Sequence, residues 1–123
     1  MTYVLVPSTS ELPDVFTELI QRLPGAKICP VSGNLAQQII DCEKFLDKHE
    51  LRSDVVFITR GTGAFVAQAL KEKHPNRIEA ILAIGYPHRL AKLPRLLFRE
   101  KSLIPTDVAV TEIPDEQALL RLL

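Results

Sequence analysis

Short, nearly continuous apolar runs alternate along this chain with longer stretches whose apolar residues return every three or four positions. Tyr3 to Val6 is a compact β-prone run closed by Pro7. Leu12–Leu23 reads as a helix, with Val15, Phe16, Leu19, Ile20 and Leu23 on one face. Ser10 is placed to cap it, Pro13 suits its first turn and Pro24-Gly25 ends it. Ala26–Val31 reads as a second strand, and Pro30 assigns it to a sheet edge. After the turn Ser32-Gly33-Asn34, Leu35–His49 is the most periodic helix, with Leu35, Ile39, Cys42 and Leu46 in one stripe. Asp54–Thr59 carries the continuous apolar run Val55-Val56-Phe57-Ile58, which suits a parallel strand covered on both faces, and Ile78–Ile84 is another apolar strand. A helix over Ala64–Lys73 joins them. His88–Lys101 is helical in composition but interrupted by Pro94, Thr106–Ile113 is a last strand, and Asp115–Leu123 a short terminal helix.

Strands alternating with helices in this way predict a parallel sheet with helices on both faces. The expected fold is a single α/β domain over residues 1–123. It is a three-layer α/β/α sandwich around a five-stranded sheet.

Composition narrows the function classes. At 123 residues the chain is about one domain. Its 46% hydrophobic and 24% charged residues are the mixture of a globular protein rather than a disordered one. Fifteen cations balance fifteen acids, so no overall field points to nucleic acid. No apolar run approaches the roughly 18 residues of a membrane span. The start Met-Thr-Tyr-Val-Leu-Val-Pro lacks the basic region of a signal peptide. The expectation is a cytoplasmic protein whose two cysteines, Cys29 and Cys42, stay reduced. Cys42 lies on an apolar helical stripe and reads as a small core residue. Cys29 has no neighbouring histidine to activate it. No Cys/His spacing suggests a metal, and no G-x-G-x-x-G or Walker loop suggests a nucleotide cofactor. None is expected. Tyr86 is the one aromatic placed to grip a ring if that were wrong.

Arg60-Gly61-Thr62-Gly63 lies between a buried strand and a helix, at the carboxyl edge of the predicted sheet. Open α/β sheets bind ligands along that edge. The helix start offers backbone N–H groups, the glycines permit close approach, and Arg60 suits a carboxylate or phosphate. These residues predict a small-anion site at Arg60, Gly61, Thr62 and Gly63. The same glycines also fit a plain strand-to-helix elbow, and Thr62 is equally placed to cap the helix.

The run from Asp54 through Thr59-Arg60-Gly61-Thr62-Gly63 to the helix-ending turn His74-Pro75-Asn76-Arg77, and on to Ile84-Gly85-Tyr86-Pro87, resembles the central segment of the α/β-hydrolases. There a strand enters a G-x-S-x-G elbow that carries the nucleophile. Over the whole chain the resemblance spans Thr2 to Pro114 and implies the family's middle five strands, in the order 2-1-3-4-5, an order shared with flavodoxin-like folds. It implies that Ser8 to Ser10 lie where a loop helps form the oxyanion hole. It also implies that Glu112 or Asp115 stands where a triad acid would, and that a lid follows the fourth strand.

The departures set the functional expectation. Gly61 occupies the nucleophile position, Thr59 replaces the motif's first small residue, and no histidine follows His88. Acyl transfer needs a hydroxyl or thiol paired with a base. The chain is therefore expected to act without catalysis, by binding a protein partner or a small anionic ligand. The ligand version uses Arg60, Gly61, Thr62, Gly63, Ser8, Ser10 and His88. The alternative is a small esterase with a rebuilt site, with Thr62, Ser8 or Ser10 as nucleophile and His88 as base. His49 and His74 sit at helix C-termini, where the dipole favours them.

Arg89, Lys92, Arg95, Arg99 and Lys101 concentrate five cations in a segment with one acid, Glu100, leaving ten cations and fourteen acids elsewhere. With Leu90, Leu93, Leu96, Leu97 and Phe98 the segment is basic and amphipathic, suited either to a lid or to a packed helix. The apolar end, Ala118 to Leu123, suggests either packing on the sheet or a homo-oligomer contact.

Overall fold

The computed structural model of the chain describes residues 1–8, 13–86 and 107–122. Five strands form one parallel sheet: β1 (Thr2–Val6), β2 (Lys27–Ile28), β3 (Val55–Arg60), β4 (Ile78–Ile84) and β5 (Thr111–Ile113). Their order is β2-β1-β3-β4-β5, as the resemblance to the α/β-hydrolases implies. Val4 lies opposite Phe57 and Phe57 opposite Ile81, so the three central strands stack their apolar residues in register.

The helices are α1 (Thr17–Arg22), α2 (Leu35–Lys48), α3 (Gly63–Lys73) and α4 (Glu116–Leu122). Side chains of a strand alternate between faces, and the core divides accordingly. Val4, Val6, Val55 and Phe57 pack with Leu35, Cys42 and Leu46 of α2 and with Phe65, Val66 and Leu70 of α3. Leu5, Ile58, Ile84 and Ile113 pack on the other side with Phe16, Leu19, Leu119 and Leu120. The strand order reverses at β1. With right-handed crossovers that reversal sends α1 to one face and α2 and α3 to the other.

Three elements differ from expectation. The helix expected over Leu12–Leu23 begins as a 3-10 turn, Pro13–Phe16, and becomes α-helical only at Thr17. Phe16 stands at the N-cap position without a side-chain cap and is fully buried, so packing sets that boundary. Ser10, the expected cap, lies outside the described residues. β2 is two residues long. The Cys29 N–H still bonds the Leu5 carbonyl at 2.9 Å, and Pro30 then has no N–H to offer. β5 begins at Thr111. Upstream, the Val108 carbonyl accepts instead from the buried Gln68 side-chain amide at 2.9 Å. The segment expected as a basic helix, His88–Lys101, lies outside the described residues.

α2 starts where the Asn34 side chain accepts the Gln37 N–H at 2.9 Å. Its far end is tied to α3. Glu43 Oε2 accepts from Lys73 Nζ at 2.8 Å and from His74 Nε2 at 2.7 Å, and Arg77 donates to Asp47 Oδ1 at 2.8 Å. The bonds from Lys73 and His74 push the Glu43 carboxyl below the usual glutamate range and so keep it ionised there. His74 is the C-terminal cap of α3, and His49 that of α2, its ring 4.4 Å from Phe45. Both lie at the amino edge of the sheet, in structural roles.

Candidate functional site

The carboxyl end of β3 turns sharply into α3. Arg60 is the last strand residue, and the Gly61 N–H still bonds the Ile84 carbonyl of β4 at 3.0 Å. Gly61 then takes a left-handed backbone, φ +50°, and Gly63 opens the helix. The first contacts of that helix span three residues, from Ala64 N–H to the Gly61 carbonyl and from Phe65 N–H to the Thr62 carbonyl.

The two glycines are needed for different reasons. A Cβ at Gly63 would stand 2.6 Å from the Val6 carbonyl oxygen and 2.8 Å from that of Pro7, so α3 starts pressed against the end of β1. A Cβ at Gly61 would meet Ser8 Oγ at 3.0 Å. Ser8 therefore holds its hydroxyl beside the place a nucleophile's side chain would leave the elbow.

Thr62 does not cap α3. It is already helical in backbone, makes no side-chain capping bond and is almost fully buried. Its hydroxyl is instead 3.0 Å from Ser8 Oγ, which ties the β1 loop to the elbow. Thr59 is fully buried on β3, and its hydroxyl has no hydrogen-bond partner among the described residues.

Ser8, Arg60, Gly61, Ile84 and Gly85 line an open cleft of about 480 Å³ whose far wall is Pro114, Asp115 and Glu116. The cleft crosses the carboxyl ends of β1, β3, β4 and β5. Of the expected site, Ser8, Arg60 and Gly61 meet in it, and Thr62 and Gly63 lie directly behind. Ser10 and His88 lie outside the described residues.

The far wall changes the electrostatics. Asp115 Oδ1 accepts the Ala118 N–H at 2.8 Å, so that carboxylate caps α4. Glu112 is exposed on β5 and takes no part in lining the cleft. Glu116, which sequence reasoning passed over, faces Arg60. Burial pushes its carboxyl above the usual range, the Arg60 charge opposes that, and Glu18 adds to it. The cleft is thus a cation beside carboxylates rather than a purely basic hollow. Glu116 was legible only as an acid in the first turn of a short helix, where most acids are solvated.

Tyr86 has a structural place. Its hydroxyl donates to Gln68 Oε1 at 3.0 Å, and its ring meets Phe65 edge-on, centroids 5.9 Å apart. Among the described residues no three His, Cys, Asp or Glu side chains converge to hold a metal, and no helix is long and apolar enough to cross a membrane.

A parallel sheet ordered 2-1-3-4-5, with a left-handed elbow between its central strand and the following helix, is the core of the α/β-hydrolase fold, and that is the fold of this chain. A haloalkane dehalogenase from Agrobacterium tumefaciens C58 superimposes with a TM-score of 0.60 at 15% identity, over 82% of this chain and 40% of its own. An extracellular α/β-hydrolase from a Paenibacillus species gives 0.62 at 16% identity, over 84% of this chain and 48% of its own. A haloalkane dehalogenase loop variant from Bradyrhizobium elkanii gives 0.59 at 10% identity, over 82% and 41%. The chain therefore spans less than half the length of these structures. No family model matches it, and no curated protein does.

Proposed function

We propose that this chain works by binding, taking a small carboxylate or phosphate in the carboxyl-edge cleft, rather than by acyl hydrolysis. The observation that carries the reading is Gly61. The elbow has the backbone of a nucleophile turn and no atom on it to attack with. The hydroxyls nearest to it, Ser8 and Thr62, are hydrogen-bonded to each other. Both histidines among the described residues, His49 and His74, sit at the opposite edge of the sheet. What favours an anion is the guanidinium of Arg60 beside the start of α3, at the point where the strand order reverses. The Paenibacillus structure is described as sharing structural and functional homology with tobacco salicylic acid binding protein 2.

The test is a titration with acetate, benzoate and inorganic phosphate, followed by amide chemical shifts. Saturable shifts at Gly61 to Gly63, lost in Arg60→Ala, are expected. Flat shifts at millimolar ligand would remove the anion reading and leave binding of a protein partner. A second reading has one specific support: Ser8 Oγ lies where the missing side chain would begin, which suits an esterase rebuilt around Ser8. Turnover of p-nitrophenyl acetate that disappears in Ser8→Ala would establish it.

A further inference from the structure

Past the C-terminal ends of α2 and α3, at the amino edge of the sheet, Arg52, Lys73, His74, Pro75, Asn76 and Arg77 line an open hollow. Its volume is about 360 Å³, room for a small ligand. Three of these six residues are permanent cations, and no acid is among them. Glu43 bonds Lys73 and His74, and Asp47 bonds Arg77, yet neither carboxylate lines the hollow. Even with both acids counted, the permanent cations are in excess.

Arg77 is the most constrained of them. Its side chain is 12% exposed, its Nε donates to the Leu51 carbonyl and its Nη2 to Asp47. Nη1 has no hydrogen-bond partner among the described residues. Arg52 is exposed and makes no ion pair among the described residues. The turn that ends α3 adds a further donor. The Arg77 and Ile78 N–H groups both bond the His74 carbonyl, at 3.0 and 3.3 Å. That carbonyl is thereby satisfied, Pro75 has no N–H, and the Asn76 N–H makes no backbone hydrogen bond.

We propose that this hollow binds a phosphate dianion, carried on a small phosphomonoester or as inorganic phosphate. Guanidinium forks match phosphate oxygens two at a time, an ammonium adds a point charge, and a free backbone N–H takes a further oxygen. Glu43, Asp47 and the Leu51 carbonyl fix Lys73 and Arg77 before a ligand arrives, so little ordering is left to binding. A dianion gains about twice what a carboxylate gains from the same cations. The site lies at the sheet edge opposite the Arg60 cleft and does not depend on what that cleft binds.

The full chain is titrated at about pH 8, where phosphate is a dianion, with inorganic phosphate, glycerol 3-phosphate and acetate. Ionic strength is held constant with chloride, and amide chemical shifts are followed. Saturable shifts at Asn76 and Arg77 are expected with the phosphates and not with acetate. Shifts at Gly61 to Gly63 report the cleft separately. Arg52→Ala, at an exposed position, should fold as wild type and weaken phosphate binding about tenfold. Tighter binding of glycerol 3-phosphate than of phosphate would identify a phosphomonoester as the ligand, and equal or weaker binding phosphate itself. Shifts that grow linearly with concentration, that acetate reproduces, or that Arg52→Ala leaves unchanged would mean an adventitious ion only and overturn the proposal.

Discussion

Gly61 and Gly63 look alike in the sequence and do different work. At Gly63 the obstacle is backbone, since the Val6 and Pro7 carbonyls leave no room for a Cβ. Gly63→Ala should cost roughly 3 kcal/mol or prevent folding, because rigid backbone must retreat. A urea midpoint close to wild type would show that α3 slides away instead. At Gly61 the constraint is the left-handed backbone, together with a hydroxyl that can swing aside. Gly61→Ser should fold with a loss of about 1–2 kcal/mol. It should give no burst of p-nitrophenol with p-nitrophenyl acetate, since a hydroxyl without a base is a weak nucleophile. A burst would turn the functional reading toward catalysis. Thr59 is the converse case, a buried hydroxyl without a partner among the described residues. Thr59→Val should stabilise the chain by about 1 kcal/mol, because it removes a polar atom that folding strips of water. A lower urea midpoint would mean that the hydroxyl has a partner. The elbow itself was readable from Arg60-Gly61-Thr62-Gly63. The bond between Thr62 and Ser8 was not, because it joins hydroxyls 54 positions apart.

Among the elements, α2 and α3 are joined at their C-terminal ends by Glu43 with Lys73 and His74, and by Asp47 with Arg77. The pKa of Glu43 is displaced downward in the folded chain, mainly by its bonds to Lys73 and His74. A carboxyl so displaced stabilises the fold above its ordinary range and loses that contribution as pH falls through the lowered range. Glu43→Gln should cost about 0.5 kcal/mol near neutrality, since these groups are partly exposed to water. The gap from wild type should close in acid. Urea midpoints measured across the acid range test this, and a gap independent of pH would show that the glutamate acts by packing alone. α2 was visible from its apolar stripe and β3 and β4 from their continuous runs. The shortness of β2 and β5 was not. Pro30 was marked as an edge residue, but where a ladder stops depends on the carbonyl across from it. Val108 leaves the ladder because Gln68, forty positions earlier, takes its carbonyl.

At the scale of the molecule, the cleft joins the ends of four strands and sets Arg60 against Glu116. Burial raises the Glu116 carboxyl, so it gains its proton at a higher pH than an ordinary glutamate does. Lowering the pH through that raised range removes a negative charge facing the ligand. Anion binding at Arg60 should therefore tighten as pH falls, and Glu116→Gln should flatten the profile while binding more tightly at neutral pH. Titrations of sulfate, whose charge stays constant across this range, at several pH values check this. A profile unchanged by the substitution would place the pH-sensitive group elsewhere. By itself the sequence determined the alternation of strands and helices and the lack of a reactive atom at the elbow, because periodicity, glycine and side-chain chemistry are local properties; the strand order followed only from the resemblance to the α/β-hydrolases. Tertiary structure alone decided that Ser8 reaches Thr62 and that Glu116 faces Arg60. Each of those contacts joins residues whose spacing along the chain carries no signal, and only closing the sheet and seating its helices brings them together.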